Sequence, residues 1–126
     1  MSRYEKLFAA GEGAFVPFIM LSDPTPEDAV EIISAVVDAG ADAVELGVPF
    51  SDPVADGPAI QGAHVRALAG GATVDKALAQ IRTIRERYPD LPIGMLVYGN
   101  VAHARGLKRF YREFKEAGAD SILLPD

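Results

Sequence analysis

The sequence predicts an α/β protein with a parallel sheet, because short apolar runs alternate with amphipathic segments along its 126 residues. The apolar runs have the length of buried strands and span residues 15–21, 42–49, 91–100 and 119–126. The segments between them repeat apolar residues at helical spacing. Strands that alternate with helices form parallel sheets with right-handed crossovers. No linker or low-complexity stretch interrupts this order, so residues 1–126 are expected to form one folding unit.

The elements of the N-terminal half have recognisable helix boundaries. Residues 1–15 predict a short amphipathic helix before the first strand. After that strand, Thr25 is a candidate N-cap, Pro26 takes the first helical position, and Asp28 stands where a capping box has its acid. Gly40 ends this second helix. Its apolar stripe consists of Val30, Ile33, Val36 and Val37.

Three further helical segments follow the second strand. Residues 59–71 predict a short helical piece that ends in two glycines, and residues 73–90 predict a longer helix. Residues 106–118 predict an amphipathic helix before the fourth strand. The apolar stripes of the two longer helices consist of Ala77, Leu78, Ile81 and Ile84, and of Leu107, Phe110, Phe114 and Ala117.

Composition and charge exclude several classes of function. The net charge is −6, and residues 7–65 contain no Lys or Arg, which argues against nucleic-acid binding. The cations of residues 82–115 are expected to form the solvated faces of two helices. No apolar run is long enough to span a membrane, and the absence of cysteine excludes disulfides and thiolate metal sites. A cytoplasmic location agrees with these features.

The two histidines give no metal signature. His64 and His103 lack metal-ligand spacing to another His or acid, and both are expected at the surface. His64 would lie on the short helical piece and His103 in a loop. The chain also lacks a dinucleotide fingerprint and a P-loop. No metal site is therefore predicted.

The second strand raises a chemical question, because Glu45 interrupts its apolar run. Burial of a carboxylate is costly unless the group is paired or used. Glu45 lies near the carboxyl end of the strand, where sites of parallel α/β sheets lie, and the following loop carries Asp52 and Asp56. Two acids in different environments can divide acid and base roles, so Glu45 and Asp56 could share a pocket. Alternatively, Glu45 caps a helix or pairs with an arginine, and Tyr98 is either core or pocket wall.

Two segments, AGADAVEL at 39–46 and AGADSILL at 117–124, superpose without a gap where a helix turns into a strand. They are either a true internal repeat or a chance recurrence of a common turn. Leu123 stands in the second copy where Glu45 stands in the first. The scaffold therefore requires only an apolar residue at this position, and the carboxylate is an added feature.

Several motifs in a fixed order connect the chain to a known family. ELGVPFSDPVADGP at 45–58, together with RYEKLF, GAFVPFIMLSDP, PIGMLVYGN and AGADSILLPD, resembles the tryptophan synthase alpha chain family over essentially the whole chain. FIMLSDP and SILLPD are similar to the corresponding segments of actinobacterial members. The resemblance implies a TIM (β/α)8 barrel, of which this chain holds the first four strands and an N-terminal helix. It also implies a lyase of tryptophan biosynthesis, which cleaves indole-3-glycerol phosphate into indole and glyceraldehyde 3-phosphate.

The resemblance also implies roles for individual residues. Glu45 would be the general acid and base that protonates the indole ring carbon, and Asp56 would hold the indole N–H. The positions that line the indole pocket are Phe18, Leu96, Tyr98 and Leu123. Asp52 and Pro53 match loop residues that face the beta subunit of an α2β2 heterotetramer. Pyridoxal phosphate belongs to that subunit, and no cofactor is expected in this chain.

The chain departs from the family pattern in three respects. Ser22 stands where Gly is common, and only AAGE separates Phe8 from Gly13, where members have more residues. An eight-stranded barrel needs about 250 residues, so the phosphate-binding loops of the later strands are expected to lie outside this sequence. Alone, the chain is expected to turn over little or no substrate. The alternative is a non-catalytic half-barrel that associates with itself or docks on a beta-type subunit.

Overall fold

The computed structural model describes all 126 residues as an α/β protein with four strands and six helices. In chain order the elements are α1 (Arg3–Phe8), β1 (Phe18–Met20), α2 (Pro26–Asp38), β2 (Val44–Gly47), α3 (Pro58–Ala69), α4 (Val74–Arg87), β3 (Ile93–Leu96), α5 (Gly99–Arg105), α6 (Leu107–Ala117) and β4 (Ser121–Leu123). Neighbouring strands are parallel, and their order in the sheet is β1-β2-β3-β4. The predicted parallel sheet is confirmed, with strands of only three or four residues.

The register of the strands divides the side chains of the sheet between two faces. One face, which we call the open face, carries two rows of residues. The first row consists of Phe18, Glu45, Gly94 and Ser121, and the second, nearer the carboxyl ends, of Met20, Gly47, Leu96 and Leu123. The opposite face packs against the helices through Ile19, Leu46, Met95 and Ile122. Glu45 therefore lies on the face that the main helical layer leaves uncovered.

A cluster of 18 buried residues forms the core between the sheet and the helical layer. The predicted α4 stripe is buried, with each of its four residues at most 2% exposed. The predicted α6 stripe is also buried, except for Leu107 in the first turn, which is 44% exposed. On α2, Val30 and Ile33 are buried, whereas Val36 and Val37 are half-buried. None of the helices is both long enough and apolar enough to cross a membrane.

The repeated AGAD sequence forms the same turn before β2 and before β4. Gly40 and Gly118 end the preceding helices with φ angles of 123° and 118°, which glycine adopts without a steric penalty. Two residues later, Asp42 and Asp120 each form two hydrogen bonds with one residue of another segment. The backbone N–H of the aspartate donates to the carbonyl of that residue, and the aspartate carboxylate accepts the N–H of that residue. The partners are Phe15 for Asp42 and Ile93 for Asp120. The similarity of the two segments therefore reflects a shared turn between a helix and a strand.

Helix α5 has no counterpart in the sequence prediction, which continued the third strand into this segment. His103 lies on α5 and not in a loop, so that prediction is wrong. The helix is seven residues long and buries only Ala102, which explains why its sequence shows no apolar periodicity. The Asp126 carboxylate accepts the N–H of Gly99 at 2.7 Å and so holds the first turn of α5 beside the end of β4.

Candidate active site

The loop between β2 and α3 lies beyond the carboxyl ends of the strands and is held by side chains of other elements. The Phe50 N–H donates to His64 Nδ1 at 2.9 Å, and the Ala55 N–H donates to the Tyr98 hydroxyl at 2.9 Å. His64 comes from α3, and Tyr98 follows β3. The rings of Phe50 and Tyr98 also stack, with their centroids 5.3 Å apart. The loop is therefore fixed at both ends, and this fixes the position of Asp56.

Asp56 is held by two donors that contact the same carboxylate oxygen. His64 Nε2 lies 3.0 Å from Asp56 Oδ2, and the Tyr98 hydroxyl donates to Oδ2 at 3.0 Å. The Asp56 side chain is 13% exposed. Asp56 Oδ1 has no hydrogen-bond partner in the chain. Every buried side-chain nitrogen or oxygen has such a partner, so Oδ1 is not buried and is accessible to a ligand. Burial raises the pKa of the Tyr98 hydroxyl, and the Asp56 carboxylate raises it further, so Tyr98 remains a donor at neutral pH.

The expectation that His64 lies at the surface is wrong, because its side chain is only 4% exposed. The Phe50 N–H can only donate, so the Nδ1 atom of His64 must accept and carries no proton. The proton of the neutral ring is therefore on Nε2, which donates to Asp56. One sequence signal could have revealed this burial, since His64 directly follows Ala63 in the apolar stripe of α3. The buried members of that stripe are Ala63 and Ala67, with Ile60 packed against them.

Glu45 is exposed on the open face. The cost of burying an unpaired carboxylate, considered from the sequence, therefore does not arise. The Glu45 carboxylate makes no hydrogen bond or ion pair within the chain, so it neither caps a helix nor pairs with an arginine. The neighbour of Glu45 in β3 is Gly94, where an added Cβ would lie 3.6 Å from Glu45 Cγ. The absence of a side chain at Gly94 leaves room around the carboxylate. Glu45 is therefore free to contact a molecule on this face.

Apolar side chains surround Glu45 on the open face. Phe18 lies opposite Glu45 in β1 and is half-buried, and its ring covers Gly47, where an added Cβ would lie 2.7 Å from the ring. Leu96 is half-buried and Leu123 is 60% exposed, both one row nearer the carboxyl ends than Glu45. Tyr98 differs from these three side chains, because it is only 2% exposed and its hydroxyl is engaged with Asp56. Tyr98 therefore belongs to the core and contacts the site through its hydrogen bond to Asp56.

The tip of the loop after β2 projects into solvent. Asp52 is exposed and accepts a hydrogen bond from the Ser51 hydroxyl, and Pro53 is half-buried. The adjacent Val54, which the sequence interpretation did not single out, is 81% exposed. A shallow groove of about 280 Å³ runs from the tip to α3, where Val65 is 67% exposed. The loop therefore presents apolar side chains on its outer side, away from the sheet.

The chain contains no group of three or more His, Cys, Asp or Glu side chains placed to hold a metal ion. A cavity of about 700 Å³ lies at the opposite end of the sheet, beside Arg85 and Asp120. Ser121 of the first open-face row borders this cavity, but neither Glu45 nor Asp56 does. The chemistry that this site can offer is therefore that of two carboxylates, one free and one oriented, beside an apolar surface.

Comparisons with known proteins agree on one family. The family profile described as "Tryptophan synthase alpha chain" matches residues 4–126. The tryptophan synthase alpha chain of Corynebacterium aurimucosum is 72% identical over 130 residues, which cover 100% of this chain and 47% of that protein. This similarity agrees with the actinobacterial features of the sequence. The chain spans about half the length of the curated relatives it matches.

Solved structures give the same result. The tryptophan synthase subunit alpha from Legionella pneumophila str. Paris superposes with a TM-score of 0.93 at 38% identity, covering 100% of this chain and 50% of that chain. Tryptophan synthase from M. tuberculosis, in an aminoacrylate-bound form, superposes with a TM-score of 0.91 at 31% identity, covering 100% of this chain and 52% of that chain. These superpositions confirm the expected fold, the first four strands of a TIM barrel.

Proposed function

This chain belongs to the tryptophan synthase alpha chain family, and on that premise we propose that it forms the first half of a barrel that cleaves indole-3-glycerol phosphate. The products are indole and glyceraldehyde 3-phosphate, and the reaction is the retro-aldol step of a lyase in tryptophan biosynthesis. One observation carries the proposal: an unpartnered Glu45 carboxylate lies on the open face of the sheet, and an Asp56 carboxylate with one accessible oxygen lies in the loop beyond the carboxyl ends of the same strands. Residues 1–126 act as one unit, which the shared core supports.

The two carboxylates serve different parts of the same reaction. Glu45 gives a proton to the indole ring carbon that carries the glycerol phosphate chain, and this places positive charge on the ring nitrogen. Asp56 accepts the ring N–H through Oδ1 and stabilises that charge while the carbon–carbon bond breaks. The hydroxyl-bearing carbon beside the broken bond becomes the aldehyde carbon, and its O–H proton passes to the Glu45 carboxylate, which restores the acid form of Glu45. The free carboxylate of Glu45 and the fixed orientation of Asp56 support this division of roles.

The apolar side chains of the open face provide the surface for the indole ring. Phe18, Leu96 and Leu123 lie on this face within one row of Glu45, and their exposure leaves apolar area available for a flat ring. Tyr98 acts through Asp56, since the single proton of its hydroxyl is donated to Asp56 and its oxygen accepts the Ala55 N–H. An apolar wall with few polar groups is the usual construction of small-molecule sites.

The loop after β2 faces a partner in the proposed assembly. Asp52 and Pro53, together with the exposed Val54, contact a beta subunit that carries pyridoxal phosphate, in an α2β2 complex. The support is the exposed Val54 side chain next to the exposed Asp52 carboxylate, since interfaces combine an apolar centre with a polar rim. This chain itself needs no cofactor for the proposed chemistry. A cytoplasmic location follows from membership in a family of biosynthetic enzymes.

The proposal is tested in a barrel of full family length, made by continuing this chain with the second half of the Corynebacterium aurimucosum relative. Glu45→Gln keeps the shape of the side chain but cannot transfer the proton, so cleavage should fall by about 10²- to 10⁴-fold. Glu86→Gln is the matched control, because Glu86 is exposed on α4 and has no partner. Indole release is measured at saturating substrate. A Glu45→Gln rate within about threefold of the unsubstituted barrel would contradict the acid and base role.

A second candidate is a non-catalytic half-barrel that associates with itself or docks on a beta-type subunit. The observation that favours it is the exposure of apolar side chains, with Leu123 and Phe15 each 60% exposed. Exposed apolar patches are commonly interaction surfaces. The first candidate predicts indole release by the full-length barrel that Glu45→Gln lowers. The second predicts no indole release, and an association that Glu45→Gln leaves unchanged.

A further inference from the structure

We propose that His64 is a positioning residue, which turns the Asp56 carboxylate so that Oδ1 faces the N–H group of the substrate. The inference rests on the proposed function, because it concerns the orientation of one of the two acids in that reaction. It adds a residue that neither the resemblance nor the sequence pattern identifies.

The imidazole ring of His64 cannot change its orientation without losing both of its hydrogen bonds. Nδ1 accepts the Phe50 N–H at 2.9 Å, and Nε2 donates to Asp56 Oδ2 at 3.0 Å. The ring is 4% exposed and meets the Tyr98 ring edge-on at 6.0 Å, so it is enclosed as well as bonded. Because Phe50 supplies a backbone donor, the alternative tautomer with a proton on Nδ1 is excluded. The helix α3 thus delivers one fixed N–H group to the carboxylate.

The two donors on Oδ2 determine where Oδ1 points. The last torsion of an aspartate side chain is broad, so one hydrogen bond leaves the carboxylate free to rotate. Tyr98 alone supplies one such bond, and its hydroxyl is already directed by the Ala55 N–H. The second bond, from His64 Nε2, fixes the plane of the carboxylate. Without it, the two oxygens can exchange places, and the accepting oxygen no longer has a single position.

Loss of this orientation should act on the chemical step more than on binding. Asp56 interacts most strongly with the ring nitrogen when positive charge develops there, and a displacement of about 1 Å can reduce a rate by about 10²-fold. We therefore expect His64→Leu to lower kcat by about 10- to 100-fold, with KM within about threefold. His64→Asn should restore part of the rate, because its amide oxygen can accept the Phe50 N–H from the Nδ1 position while its NH2 group, one atom short of Nε2, can still donate toward Asp56 after a small shift.

The test uses the full-length barrel described above and measures kcat and KM for indole release. The variants are His64→Leu, His64→Asn, Asp56→Asn and the double variant His64→Leu with Asp56→Asn. The control is His103→Leu, since His103 is the other histidine of the chain and is exposed on α5. We expect the double variant to equal Asp56→Asn alone, because His64 acts only through Asp56. Additive losses, or a folded His64→Leu variant with kcat within about threefold of the parent, would overturn the proposal.

A failure to fold does not leave the proposal untested. If His64→Leu does not fold, the unsubstituted barrel is examined by nitrogen-15 NMR of the imidazole. A proton on Nε2 and none on Nδ1, with an Nε2–H signal that shifts in Asp56→Asn, supports the inference, and a proton on Nδ1 overturns it. The same variants distinguish the proposed function from the positioning role. Full activity of Asp56→Asn would refute the role of Asp56 in the proposed function, whereas an inactive Asp56→Asn with a fully active His64→Leu refutes only the positioning role.

Discussion

The two AGAD turns provide a matched pair of substitutions, Asp42→Ala and Asp120→Ala. Each removes a carboxylate that accepts one backbone N–H of another strand segment, at 2.8 Å for Asp42 and 2.9 Å for Asp120. The surroundings differ. Asp42 is exposed and has no other side-chain partner, whereas the Asp120 carboxylate is 12% exposed and also contacts Arg3 and Arg85 at 2.8 Å each. Asp120→Ala should therefore destabilise the fold much more than Asp42→Ala.

The magnitude of the difference follows from what each substitution leaves unpaired. Without Asp120, the N–H of the fully buried Ile93 has no acceptor, which costs about 1–3 kcal/mol. Removal of one partner from a fully buried ion pair costs about 3–5 kcal/mol, but Arg85 keeps its bonds to backbone carbonyls, so the lower end applies. We expect a total of about 4–6 kcal/mol. The N–H that Asp42→Ala releases belongs to the exposed Phe15 and can bind water, so about 0.5–1 kcal/mol is expected there.

Urea denaturation followed by circular dichroism measures both variants against the same parent, provided that the slopes agree. Asp120→Asn adds a third point, because its amide oxygen can still accept the Ile93 N–H while the charge is lost. Its stability should lie between those of the parent and Asp120→Ala. A difference below about 1 kcal/mol between Asp42→Ala and Asp120→Ala would refute the reasoning, since it would mean that the burial and the arginines around Asp120 add nothing.

Three shorter tests concern the stability and association of the same chain. Gly70→Ala would place a Cβ 2.5 Å from the Pro24 carbonyl oxygen, so we expect a loss of about 1–3 kcal/mol by thermal melting, and an unchanged melt would contradict the contact. Ser22 has a φ of 67° and a buried hydrogen bond to Gln80, so Ser22→Gly should stay within about 1 kcal/mol of the parent. Both variants lose this bond, but only glycine adopts the left-handed backbone without strain, so Ser22→Ala should be less stable than Ser22→Gly; the reverse order would contradict this. Light scattering of the isolated chain should show dimers or larger assemblies, since Leu123 is 60% exposed on the open face, and a monomer at high concentration would contradict this.

The sequence predicts the order of strands and crossover helices because apolar periodicity alone determines it. The stripe of α4 is buried as predicted, since an amphipathic helix has only one face that can pack on a sheet. The strand boundaries are less accurate, because apolar residues outside the ladder still extend the run. Phe15 and Val16 are 60% and 42% exposed and precede β1. Helix α5 escapes prediction for the opposite reason, since it has too few buried residues to show a period.

The contacts of the candidate site depend on tertiary structure and so exceed what the sequence pattern can predict. The positions of Glu45 and Asp56 follow from a strand and a loop, and both are visible in the sequence. The donors that orient Asp56 are 8 and 42 residues away, on α3 and after β3. Nothing local in the sequence distinguishes His64 from a surface histidine except its place beside the apolar stripe of α3. The role of His64 beside Asp56 can therefore be identified only when the packing of α3 is known.

The register of the sheet changes the meaning of the AGAD comparison for Glu45. The sequence alignment pairs Glu45 with Leu123, whereas the strand ladder places Glu45 in one row with Ser121. Leu123 lies one row nearer the carboxyl ends, which corresponds to two residues and about 7 Å along a strand. Glu45 therefore starts below the apolar rim that Leu96 and Leu123 form, while Asp56 lies above it. A glutamate suits this depth better than an aspartate, because its additional methylene extends the carboxylate toward the ring that Asp56 is proposed to hold at the edge of the sheet.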